Sequence, residues 1–260
     1  MTNLRRMILK YLFALSFVLA LGMYASGQAL AFTCKVTPGT IPISLGYHGT
    51  KVKITGEGLQ APDLVIQIHS PPGEEHLKYK GKAGGIFWMK LGTMTFENVP
   101  GVYLVYSTRD THELLSPEKC AELSIGFDSL KKKARIKSNL KNLDREKWLA
   151  EFMKFKKEEH LYLEQSGVIR VDTASQTYEL DIDWPFEAPP GEYDVEAIAI
   201  RDGQVVDKAK AMIKDQRVGI EELLSHMAFE RPALYGIIAI VVAIIAGFGV
   251  GMIFKGGGAH

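Results

Sequence analysis

Leu234 to Phe254 (LYGIIAIVVAIIAGFGVGMIF) runs for 21 residues without a charge. At a rise of 1.5 Å per residue a helix of that length spans about 31 Å, the thickness of a bilayer's hydrocarbon core. Pro232 stands where a helix start tolerates proline, and Tyr235 where a ring suits the membrane interface. The sequence therefore predicts a transmembrane helix over 232–254 and a short tail over 255–260. Small residues recur along it at Ala239, Ala243, Gly247 and Gly251. That spacing keeps one face narrow and suits a packed helix, either a membrane-protein partner or a second copy. Before it, Ile220, Leu223, Leu224, Met227 and Ala228 fall at helical spacing. They predict an amphipathic juxtamembrane helix over 217–231, able to lie in the interface or to pack on the rest of the chain.

The other end carries an export signal. Arg5, Arg6 and Lys10 precede an apolar run from Tyr11 to Tyr24, and Ala29-Leu30-Ala31 places small residues at −3 and −1 of a cleavage site. Cleavage after Ala31 leaves Phe32 first; an uncleaved anchor is the alternative. Either way the middle of the chain is exported and the tail is cytoplasmic, giving a single-pass protein of a bacterial inner membrane. Formal net charge is +1, and removing the basic leader tips it slightly acidic. That balance predicts neither nucleic-acid binding nor a polybasic membrane patch.

The exported region reads as mainly β with a helical insertion. Thr50–Thr55 and Asp63–His69 alternate with period 2 between glycine and proline punctuation. Turn signals about every ten residues predict an immunoglobulin-like β-sandwich module over 32–115. Shorter strands are expected at Leu77–Lys80, Gly85–Lys90, Thr93–Glu97 and Val102–Ser107. A helical segment covers 116–165: Ser116-Pro117-Glu118 is a helix start, and Asp144 can cap a second helix running to Glu164. In it Trp148, Phe152 and Phe155 recur as a core stripe. A second β module, or the completion of the first, covers 166–216. Its hairpin turns at Asp202-Gly203.

One passage echoes another. Phe96-Glu97-Asn-Val-Pro100-Gly101-Val-Tyr103-Leu-Val105 matches Phe186-Glu187-Ala-Pro-Pro190-Gly191-Glu-Tyr193-Asp-Val195 at a constant offset. Pro-Gly turns the chain into a strand, and a tyrosine there can bond back across the corner. Two related modules, or a chance match to a common turn, account for it.

Catalytic chemistry is not legible. There is no HExxH, GxSxG, P-loop or Rossmann fingerprint, so no enzyme class, cofactor or metal is predicted. His69 and His76 flank Pro71-Pro72-Gly73 without zinc spacing. Cys34 and Cys120 are both exported, which admits a disulfide or two free thiols.

Val65-Ile-Gln-Ile-His-Ser-Pro-Pro, Tyr79-Lys80-Gly81-Lys82, Gly85-Ile86-Phe87-Trp88 and Val99-Pro100-Gly101-Val-Tyr103 occur in a distinctive order. They are followed by Pro189-Pro190-Gly191-Glu-Tyr193, Arg201-Asp202-Gly203, Gly219-Ile220-Glu221 and Leu234-Tyr235-Gly236. The order resembles an uncharacterised transmembrane protein family best known from alphaproteobacteria, across essentially the whole mature chain. The resemblance implies an inner-membrane protein with a periplasmic domain and no established activity. It also implies a role auxiliary to a membrane exporter, since members often neighbour genes for exporters of the sulfite and organosulfonate type.

Overall fold

The computed structural model describes residues 30–44, 47–83, 87–138 and 144–255. The segment expected to be an export signal, apart from Leu30 and Ala31, and the tail beyond Lys255 lie outside the described residues. The chain is mostly β, with helical pieces and one long apolar helix at its C-terminus, and its sheet curls into a half-barrel.

A four-stranded sheet has the order β1-β3-β11-β10 (Lys35–Thr37, Lys51–Glu57, Thr177–Asp183, Arg170–Asp172). A six-stranded sheet has the order β2-β13-β12-β4-β7-β9 (Thr40–Ile43, Gln204–Arg217, Gly191–Arg201, Asp63–His69, Tyr103–Ser107, Tyr162–Ser166). Strand β3 buries every second residue, as its alternation requires, whereas the central strands β4 and β7 are buried almost throughout. The strands after Gly167 pair directly with those before it: β11 with β3, and β12 with β4. One buried cluster joins Val52, Ile54, Leu180 and Ile182 of the first sheet to Ile66, Ile68, Val105 and Val195 of the second.

The four short strands expected between Leu77 and Ser107 are instead one long hairpin and β7. Strands β5 (Pro72–Ala83) and β6 (Phe87–Pro100) pair along their length, and β8 (Arg135–Lys137) adds to β6. Glycine does not end this pairing, although the register shifts beside Gly92, between Tyr79 and Lys80. Gly92 lies opposite Tyr79, and a Cβ there would stand 2.7 Å from the tyrosine ring. The ring occupies the glycine's empty place, which is how an aromatic neighbour supports a glycine within a strand.

Among the described residues the helices are α1 (Thr111–Leu114), α2 (Pro117–Leu123), α3 (Phe127–Lys133), α4 (Arg145–Glu158), α5 (Ile220–Glu230) and α6 (Pro232–Lys255). Ser116 caps α2 by accepting from the Lys119 N–H, and Asp144 caps α4 through the Lys147 N–H. The run from Asp144 does not stay helical to Glu164. It ends at Glu158, His160 turns with positive φ, and Tyr162 begins β9, parallel to β7. Of the aromatic stripe, Phe152 is core and stacks on Phe96 at 4.3 Å, Trp148 meets Tyr79 at 5.5 Å, and Phe155 is exposed.

Candidate functional site

The two copies of the Phe-Glu-x-x-Pro-Gly-x-Tyr passage lead into β7 and β12, which flank β4 on either side and run antiparallel to it. Both tyrosine rings are buried. Tyr193 donates its hydroxyl to the Pro189 carbonyl four residues upstream, whereas Tyr103 donates to Ser124 at the end of α2, 2.6 Å away. The phenylalanines diverge: Phe96 is core and Phe186 is exposed. Burial holds both tyrosine hydroxyls above their ordinary pKa, which suits packing and not proton transfer.

Cys34 and Cys120 are free thiols in separate surroundings. Cys34 lies beside the Tyr178 hydroxyl, and Cys120 is buried on α2 with its Sγ 3.9 Å from the Leu115 carbonyl. Burial pushes both thiols up, the state of unreactive cysteine. His69 Nδ1 meets the Ser70 carbonyl and His76 Nδ1 the Thr95 hydroxyl, so the two do not converge. Among the described residues no group of His, Cys, Asp and Glu has a metal-binding arrangement.

The open grooves carry paired charges. One of about 680 Å³ lies between α3 and α4, where Lys131 faces Asp128 at 3.4 Å, Lys154 faces Glu158 at 3.9 Å, and Lys157 covers the Phe127 ring. Another, of about 770 Å³, holds Arg109 doubly bonded to Asp63 at 2.9 and 2.5 Å. That guanidinium keeps the Asp63 carboxyl below its usual range. Asp215 goes the other way: burial raises its carboxyl, the Trp184 Nε1–H bond partly offsets this, and its Oδ1 has no partner.

The helix α6 is where the sequence-predicted packing residues stand clear. Ala239, Ala243, Gly247 and Gly251 are all exposed, and a Cβ added to Gly247 or Gly251 would meet nothing within 4 Å outside the helix's own backbone. These glycines therefore relieve no contact in this chain. Two features escaped the sequence reading. Lys156 is buried against Glu75 at the hairpin's root, and four lysines with no acidic residue lie between His76 and Phe96. The second was visible as a local run, but the near-neutral total masked it.

These features define a β-rich protein that, among the described residues, carries one helix long and apolar enough to cross a membrane, Pro232–Met252, none of it buried against the rest of the chain. The chain belongs to the family described as putative transmembrane protein (Alph_Pro_TM), whose model matches residues 31–256. A search of curated proteins finds no match.

Proposed function

We propose that this protein is a non-catalytic accessory or binding protein of the bacterial inner membrane. In this reading its immunoglobulin-like β region is exported to the periplasm, its tail is cytoplasmic, and α6 packs against a helix of a membrane partner of the exporter type. The observation that carries it is the bare small-residue face of α6. A lone anchor needs only hydrophobicity, and leucine serves that better than glycine. A narrow face gains energy only when another backbone comes close. The paired charges of the grooves and the inert thiols fit a binding role better than a chemical one.

Replacing Gly247 and Gly251 together by leucine tests this. Insertion should persist, because hydrophobicity rises. Recovery of a membrane partner after crosslinking in cells should fall on the order of tenfold, the equivalent of about 1.4 kcal/mol of lost packing. Unchanged complexes would reduce α6 to an anchor. Loss of self-crosslinks alone would make the protein a self-associating envelope component. Topology is checked separately: phosphatase fused after Val218 should be active, and phosphatase fused after His260 inactive. The reverse pattern overturns the orientation.

A further inference from the structure

The register of the six-stranded sheet shows which end the hairpin grows from. Gly191 of β12 pairs with Asp215 of β13, Asp194 with His69 of β4, and His69 with Tyr103 of β7. These positions mark one end of the sheet. From that end β13 leaves after Arg217 toward α5 and the α6 anchor. From the same end β4 runs on into β5, and β6 returns into β7, with Pro72 opposite Pro100 at the root. The hairpin is thus rooted at the anchor's end of the sheet.

Near the root the hairpin is packed down. Lys156 of α4 holds Glu75, Phe152 stacks on Phe96, and Trp148 meets Tyr79. Beyond Tyr79 the register shifts, and the ladder continues to Ala83 opposite Phe87. Phe87 is 73% exposed there and Met89 51%. They stand two apart on one strand and so share a face. In register, Lys80 is opposite Lys90 and Lys82 opposite Trp88. With Lys78, this gives four lysines and no acid between His76 and Phe96. Lys78 and Lys90 are exposed. Two exposed apolar side chains on one face of the arm, with Lys90 on the other face of the same strand and Lys78 exposed farther back, make this part of the hairpin amphipathic.

We infer that this part of the hairpin is a second membrane contact, seating Phe87 and Met89 in the interface of an anionic bilayer with Lys78 and Lys90 among the lipid headgroups. Charge selects the occupant: a run of lysines without acids complements anionic lipid, and each lysine at such a surface contributes about a fivefold preference. Location supports it, because the arm starts where the anchor starts. The juxtamembrane helix α5 adds to the same surface, exposing Leu223, Leu224 and Phe229, the last at 85%. A region fixed at both the anchor and the arm would be held at a set orientation to the bilayer, presenting α6 and the sheet to a partner in one pose. The inference rests on α6 lying in a bilayer and on nothing else in the proposed function.

The test uses the full chain with Cys34→Ser and Cys120→Ala, and a nitroxide at Met89→Cys. It is reconstituted in vesicles of phosphatidylcholine, with or without phosphatidylglycerol. In the anionic vesicles the label should become accessible to oxygen and shielded from a water-soluble nickel chelate. Lys78→Glu with Lys90→Glu, both at exposed positions, should return it to water, shifting the seated fraction about fivefold or more per lysine. Unfolding of that variant should match the parent, which separates lost contact from lost fold. A label open to the chelate in both lipids overturns the inference while leaving the anchor intact. A label shielded equally in both lipids, and more so as protein density rises, assigns the tip to a second copy and also overturns it. Failure of the chain to float with the vesicles removes the anchor and the inference together.

Discussion

Glu75→Ala should destabilise the β region by about 3–5 kcal/mol, while Lys156→Met, which removes the other half of the same pair, should cost about 1 kcal/mol. The asymmetry follows from burial. The Lys156 side chain is 4% exposed and that of Glu75 28%, with 2.9 Å between their charges. Without Glu75 the ammonium keeps one long bond to the Gly101 carbonyl, 3.3 Å away, and the Phe152 and Tyr162 rings at 5.9 Å. Without Lys156 the carboxylate turns to water, and methionine fills the aromatic surroundings. Urea unfolding of the full chain in mild detergent measures both. Equal losses, or the reverse order, would remove the buried cation from the account. The same pair ties α4 to the hairpin's root, so Glu75→Ala should also raise the mobility of a label at position 89.

How far the sequence foretells this structure depends on how local each signal is. The caps at Ser116 and Asp144, the Asp202-Gly203 turn and the uncharged run of α6 are written within a few residues, and each is found. The end of α4 is not local. Nothing in Glu159-His160-Leu161 forbids another helical turn, and the strand that follows exists because Tyr162 pairs with Tyr103 and donates to the Pro100 carbonyl, both far away in sequence. The long hairpin was hidden for a similar reason. Short strands separated at Gly81 and Gly92 are what the sequence suggests, yet a ring across the ladder fills the gap at Gly92. The candidate contact on the arm was obscured by averaging. A near-neutral total describes no single surface, and the hairpin gathers lysines that the whole chain balances elsewhere.

Gly56→Val should cost about 3 kcal/mol or more and free the segment around Thr33 from the sheet, although Gly56 has an ordinary strand conformation and a β-branched residue suits strands. The reason is a close approach. A Cβ at Gly56 would lie 2.0 Å from the Thr33 carbonyl oxygen and 2.3 Å from the Tyr178 ring. Those atoms cannot give way cheaply. The Thr33 N–H donates to the Glu57 carbonyl and its Oγ1 accepts from the Glu57 N–H, each at 3.0 Å, while the Tyr178 hydroxyl donates to the Thr33 carbonyl at 2.8 Å. Phe32 packs on the same ring at 5.8 Å. The segment that would begin the mature chain is thus bound to the sheet through its first residues. Gly58 would distinguish a chain cleaved after Ala31 from an uncleaved one. Its φ of +76° makes any side chain costly, by about 1–2 kcal/mol. Only in a chain that keeps Leu30 and Ala31 do their carbonyl oxygens also stand 2.5 and 2.4 Å from the new Cβ. Gly58→Ala should therefore be milder in protein cleaved after Ala31 than in protein whose cleavage is blocked by Ala31→Leu. Gly56→Val should be severe in both. Mass spectrometry fixes which N-terminus is present, and limited proteolysis with thermal unfolding reads the loss. Equal penalties for Gly58→Ala in the two forms would show that Leu30 and Ala31 do not rest on the sheet. A harmless Gly56→Val would show the same of Thr33.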